Sequence, residues 1–287
     1  MTTVNSRSEG GSPSAQQTGE ARGGVQRQSA LNNVFWRYTG RLLILLAFTS
    51  LWWLAVHFKW MDKFFVSSPD DMGRFLVDTF VSQIVPNAAN TLFATLLAFA
   101  LASVTGVLAG LALFEFPRAK RMLDPFLTAL NSMPRIALAP IFILWFGIGL
   151  GSKVALAFSL GFFIVLLSTH AGIRNVDPML MKLSRTLGCT PWQQFTKIML
   201  PWAIPNVFAG LKLALIYSFL GVVTSEMLAS KVGLGQLIMY YSGLLRMDAV
   251  LGILLVMAVC AVLLTLIGDT IEAALLGSWT DASAKPE

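Results

Sequence analysis

The residues able to do chemistry are few and scattered. The chain has two histidines, His57 and His170, and two cysteines, Cys189 and Cys260. Neither pair has metal-ligand spacing, so both histidines are expected to be interfacial and both cysteines small buried side chains. No run of the form Gly-x4-Gly-Lys-Ser/Thr is present, and the stretch Gly149–Lys153 only superficially resembles one. A phosphate cradle needs those backbone amides and that lysine, so ATP hydrolysis is not expected from this chain. HExxH, GxSxG and clustered acidic sets are missing as well, and the sequence points to no catalytic residue, metal or cofactor. What remains is a set of ionisable groups inside apolar runs, where they are costly and are functional candidates by default. These are Arg135, Lys212 and Glu226.

Three roles suit Arg135: attracting an anion, pairing internally, or reaching the inner membrane interface. Pro134 and Pro140 flank it, and prolines free backbone carbonyls and break a helix locally. Lys212 suits snorkelling as well as substrate contact. Glu226 suits a pathway gate, an extracellular receptor contact, or a solvated helix end.

The elements that must position these groups follow from composition. Of 287 residues, 55% are hydrophobic and 13% are charged. A soluble domain carries about 25% charged residues, so lipid is the natural solvent for this chain. The net charge of +6 is spread between apolar spans rather than gathered on one face, which argues against nucleic acid. Residues 1–30 lack large apolar side chains and are expected to be a disordered tail, without the pattern of a cleaved signal peptide. Six apolar runs follow, at roughly 39–58, 90–114, 126–147, 154–174, 204–228 and 249–276, each near the ~20 residues that cross a bilayer. The expected organisation is a tail (1–30), a first transmembrane helix with a periplasmic loop (31–86), a five-helix domain (87–275) and a short C-terminal tail (276–287). With both termini cytoplasmic, thirteen Lys and Arg fall inside and six outside, in keeping with the positive-inside rule. The fold class is an all-α membrane bundle. Ala94, Ala98, Ala102, Gly106 and Gly110 form a small-residue stripe on the second span, and Gly210, Ala214 and Ser218 repeat it on the fifth. Such stripes let helices approach closely.

The most informative segment is the loop from Asn175 to Pro201. It parses as two short helices separated by Gly188. Thr190 is a suitable N-cap, Pro191 suits the first helical position and Gln193 completes a capping box. The helix is expected to end before Pro201. Trp192, Phe195 and Met199 fall at helical spacing and are expected to share one apolar face. Something must cover that face: the protein's own spans, lipid headgroups or a partner.

This segment resembles the cytoplasmic signature of ABC-importer permeases, which reads Glu-Ala-Ala, three residues, Gly, nine residues, Ile, one residue, Leu-Pro. Gly188, Ile198, Leu200 and Pro201 match; the triplet falls on Lys182-Leu183-Ser184 and has diverged. Met133–Pro140, Trp145–Gly149, Ala171–Arg174 and Gly233–Gly235 look like the nitrate, sulfonate and taurine branch of that family. The resemblance spans residues 87–275. It implies a six-helix type I importer permease in the bacterial inner membrane, non-catalytic and paired as a homodimer. A separate ATPase subunit and a periplasmic binding protein would be its partners. Lys182, Gly188, Thr190, Pro191, Trp192, Phe195, Ile198, Leu200 and Pro201 would then form the ATPase-docking loop. Arg135, Tyr217, Ser218, Thr224, Ser225 and Glu226 become pathway or substrate candidates. Gly233, Gly235, Tyr240 and Tyr241 become binding-protein contact candidates, although an interfacial loop explains them equally well. The alternatives are an ion-coupled secondary transporter, which would need inverted repeats and a coupling carboxylate pair, and a membrane enzyme, which would need a polar cluster in the bundle.

Overall fold

The computed structural model describes residues 40, 43, 44, 46–58, 60 and 63–283. The expected disordered tail and much of the first apolar run lie outside the described residues. The chain divides into two units, residues 1–63 and 64–287. In the first, helix α1 (Leu46–His57) is short and apolar, with the Trp53 and His57 rings stacked at 4.8 Å.

The second unit is all helical. Helix α2 (Pro69–Thr79) starts where the Ser68 hydroxyl accepts from the Asp71 N–H, with Pro69 in the first turn. It runs through a π-helical turn (Phe80–Ile84) into α3 (Val85–Glu115). The expected second span is therefore the later part of a 47-residue helical path, Pro69–Glu115. A loop was expected before residue 87; instead, the first part of that path packs Phe75 and Ile84 into a core with Leu215, Phe219, Leu234, Ile238 and Ile253. Tertiary burial outweighs its polar composition.

Helix α4 (Pro117–Ser132) and α5 (Ala139–Phe146) together form the third expected span, joined by a 3-10 turn (Arg135–Leu138). They are bent by 86°. Pro134 and Pro140 sit at that break, where the sequence placed it. Helix α6 (Leu150–Arg174), at 25 residues, is about 37 Å long. Helices α7 (Pro178–Thr186) and α8 (Pro191–Gln194) follow, then a second π-helical turn (Phe195–Met199) and α9 (Leu200–Leu228). The helix expected to stop before Pro201 does not stop. It continues from Pro191 to Leu228 as one path, because the π turn carries the Leu200 N–H to the Phe195 carbonyl five residues back. That widening makes room for the proline ring. Helix α10 (Leu234–Gly243) is short, and α11 (Met247–Ser283) runs through residues expected to form the tail.

Among the described residues, four helical paths are long and apolar enough to cross a membrane, and five if the α4–α5 pair counts as one span. Helix α6 is the central post, set between the two small-residue stripes. A Cβ on Gly106 would come to 2.8 Å from the Val165 Cβ, and one on Gly110 to 2.7 Å from the Thr169 Cβ. On the other side Gly210 lies against Ser168, and Ser218 against Gly161. In lipid, where no hydrophobic driving force joins helices, this close backbone approach supplies the contact. One end of the bundle carries α7 and α8; the opposite end carries α10.

Candidate functional site

The α7–α8 end is built by four local devices. The Asp177 carboxylate caps α7 by accepting from the Met179 N–H at 2.7 Å. Gly188 closes the helix at φ +74°, a left-handed conformation that favours glycine. Its N–H donates to the Arg185 carbonyl, and the Cys189 N–H donates to the Ser184 carbonyl, each at 3.0 Å, which is a Schellman closure. Thr190 and Gln193 then form the expected reciprocal capping box, at 2.9 and 3.3 Å. These fix two short helices that could not persist alone.

The apolar face they expose differs from the expected one. Trp192 is 72% exposed, but Phe195, Ile198 and Met199 are half-buried, since the π turn swings them toward the bundle. The companions of Trp192 come from α7: Met179, Leu183 and Leu187 are all exposed, Leu187 by 72%. Their spacing of four places them on one side of the helix. That periodicity is visible in the sequence, although Trp192, Phe195 and Met199 are the more conspicuous set there. Lys182, Thr190, Pro191 and Leu200 are exposed around this face, and Pro201 is half-buried.

A second feature is a cleft of about 440 Å³ lined by Asn131, Arg135, Leu160, Ile164, Leu213 and Tyr217, among others. Arg135 Nη1 donates to the Ser159 and Leu160 carbonyls at 3.2 and 3.3 Å, and Nη2 donates to Asn131 Oδ1 at 2.5 Å. Its guanidinium lies 4.3 Å from the Phe163 ring centre. Three of its five N–H donors are thus used, and Nε is buried without a partner. No carboxylate pairs with it among the described residues. The cleft therefore holds an uncompensated positive charge with donors to spare, which suits an anion.

Two of the expected pathway residues, Arg135 and Tyr217, meet in this cleft. Ser218 and Ser225 are buried elsewhere in the bundle, and Thr224 is half-buried with its hydroxyl on the Leu220 carbonyl. Lys212 pairs with Asp269 at 2.7 Å and Glu272 at 2.5 Å, joining α9 to α11.

Glu226 is 1% exposed and pairs with Lys153, itself 3% exposed, at 3.0 Å. The carboxylate also accepts from the Thr91 hydroxyl at 2.9 Å and the Gly235 N–H at 3.0 Å. Nothing local in the sequence marks Lys153 and Glu226 as partners. Gly233 is explained by this carboxylate, since a Cβ there would run into its oxygens. Gly235 is explained by close approach to α9, since a Cβ there would lie 2.5 Å from the Val223 carbonyl oxygen and 2.8 Å from the Glu226 Cβ. Tyr241 is buried, donating to Gln83 Oε1 at 2.7 Å, whereas its neighbour Tyr240 is 54% exposed. Among the described residues no three His, Cys, Asp or Glu side chains come together as a metal site.

Comparison with known proteins adds three findings. Residues 102–278 match the family model described as the binding-protein-dependent transport system inner membrane component. A putative aliphatic sulfonates transport permease protein of Bacillus subtilis is 37% identical over 149 residues, 52% of this chain and 54% of that one. The chain thus spans about half the length of that relative. A formylaminopyrimidine transport permease protein of Halalkalibacterium halodurans is 33% identical, covering 61% of this chain and 70% of the relative. A taurine transport system permease protein of Escherichia coli is 28% identical, covering 79% and 84%. Among solved structures, an inward facing MetNI methionine ABC transporter chain superposes with a TM-score of 0.59 over 67% of this chain and 95% of its own, at 21% identity. That likeness shows a shared fold.

Proposed function

The chain belongs to the family of binding-protein-dependent transport system inner membrane components, and on that premise we propose that it forms half of the membrane pathway of an ATP-driven importer for small anions. It is a non-catalytic subunit, and ATP is hydrolysed by a separate partner. The α7–α8 face docks that ATPase. The observation that carries this reading is the continuous helical path from Pro191 to Leu228, which joins the exposed Trp192 directly to the longest part of α9. A push on that face is therefore a push on a span, as rigid-body alternating access requires.

Several observations support the remaining parts. Arg118, Lys120, Arg121, Arg174, Lys182, Arg185 and Lys197 all lie on the elements that meet at the α7–α8 end, which supports a cytoplasmic assignment for that end, and with it cytoplasmic termini and α1 as the first of six spans. A second copy closes the pathway across the cleft. The sulfonate and taurine permeases among the relatives, together with the unpaired Arg135, support a small anionic solute, contacted by Arg135, Asn131 and Tyr217. The α10 end, with Tyr240 exposed, meets a periplasmic binding protein. An ion-coupled mechanism finds no support in the family assignment.

The test is co-purification with the ATPase encoded beside the chain, and ATP-driven uptake, for wild type, Trp192→Asp and Gly188→Pro. Trp192→Asp should weaken ATPase binding by about 2 kcal/mol, roughly thirtyfold. Normal coupling in both variants, or uptake without a bound ATPase, would overturn the reading.

A further inference from the structure

The contacts of Lys153 and Glu226 have an order that a plain ion pair would lack. Four consecutive residues entering α10 each have a backbone group held by a side chain from a span. The Val232 carbonyl accepts from Lys153 Nζ at 2.7 Å. The Gly233 N–H donates to Asn87 Oδ1 at 2.6 Å. The Leu234 N–H donates to the Thr91 hydroxyl at 2.9 Å, and the Gly235 N–H to the Glu226 carboxylate. Asn87 and Thr91 belong to α3, Lys153 to α6 and Glu226 to α9.

The N–H groups of a helix's first turn have no intrahelical partner, and those of α10 find acceptors on α3 and α9, while Lys153 of α6 donates to the carbonyl just before the helix. The carboxylate also complements the positive end of that helix. The two glycines permit this, since neither position can carry a Cβ against Glu226. At the other end of α10 the Tyr241–Gln83 bond and the packing of Arg246 on Phe75 and Tyr241 hold the helix down. Its outward face keeps Met239, Tyr240 and Leu244 exposed.

The packing of α3, α6 and α9 does not need charge, because small-residue stripes already join them. Burying an ion pair is a poor way to gain stability, and apolar replacement of both partners is often neutral. We propose that Asn87, Thr91, Lys153 and Glu226 form a socket that seats α10 on three spans, so that contact of a binding protein with α10 is transmitted to the pathway. These four are positioning residues. The inference rests on the importer reading above, in which the α10 end faces that protein.

The test uses the full chain assembled with its ATPase in nanodiscs, with the neighbour-encoded binding protein added as purified from cells. Two readouts are needed: ATPase rate with and without the binding protein, and hydrogen exchange over residues 232–243. The double variant Lys153→Met with Glu226→Leu should keep basal ATPase and exchange in α3, α6 and α9, while residues 232–243 exchange at least about tenfold faster. Stimulation by the binding protein should fall to about onefold. Thr91→Val should behave similarly, and Thr91→Ser, which retains the hydroxyl, should restore both. Exchanging the charges (Lys153→Glu with Glu226→Lys) should fail to restore stimulation, because a carboxylate would then face the Val232 carbonyl. Stimulation at the wild-type level in the double variant, or recovery on charge exchange, would overturn the socket. Lack of stimulation in the wild type would overturn the importer reading itself, and the socket with it.

Discussion

At the scale of single residues, burial decides what an ionisable group can do. Arg135 and Glu226 both sit within apolar stretches, but Glu226 has three donors around it, from Thr91, Lys153 and the Gly235 N–H, and Arg135 has no counter-charge. Only Arg135 is left with capacity for a ligand. Arg135→Lys keeps the charge and loses the planar fork, and Arg135→Met loses both. The expected outcome is graded, with uptake of an anionic solute falling by about tenfold in the first and further in the second, while ATPase co-purification is unchanged. Equal uptake by the two variants would assign Arg135 a purely structural role. Gly233→Ala puts a methyl group into the Glu226 carboxylate at φ +121°. A loss of about 2 kcal/mol is expected, from backbone strain and displacement of a buried charge, read as a lowered unfolding midpoint in detergent. Lys153→Met alone should cost more, roughly 3–5 kcal/mol, because it strands the carboxylate.

At the scale of elements, what the sequence made legible was local. The capping box at Thr190, the break around Pro134 and Pro140, and the stripes on α3 and α9 are all set by residues within a turn or two of one another, and each is present as expected. Two elements differ from their local sequence signals for one reason. Residues 69–84 look too polar for a buried helix, and Pro201 looks like a stop, yet both are overridden by tertiary packing with π turns relieving the strain. The apolar face at the α7–α8 end was only half legible, since the rotation that turns Phe195 inward depends on that π turn. The seat of α10 was not legible, because Lys153 and Glu226 are 73 positions apart and Thr91 and Glu226 135 apart. The stripes give their own prediction. Gly106→Val should overpack the α3–α6 contact and cost about 2 kcal/mol, whereas the same change at Gly243, where a Cβ meets nothing within 4 Å, should cost far less. Comparison of detergent unfolding midpoints checks this.

At the scale of the whole molecule, the two ends of the bundle are different surfaces joined by stiff rods. One end presents Met179, Leu183, Leu187 and Trp192, carried on two capped helices of which the second is continuous with α9. The other presents Tyr240 on a helix tied to α3, α6 and α9. A chain without any phosphate-binding loop can take part in ATP-driven transport only by passing movement between such surfaces. The most direct measurement is site-specific photocrosslinking in membranes that contain the complete importer, with the reactive group placed at Leu187 in one preparation and at Tyr240 in another. Leu187 is expected to capture the ATPase from the cytoplasmic side, and Tyr240 the binding protein from the opposite side. Capture of the binding protein at Leu187, or of neither partner at either position while uptake proceeds, would contradict this assignment of the two ends.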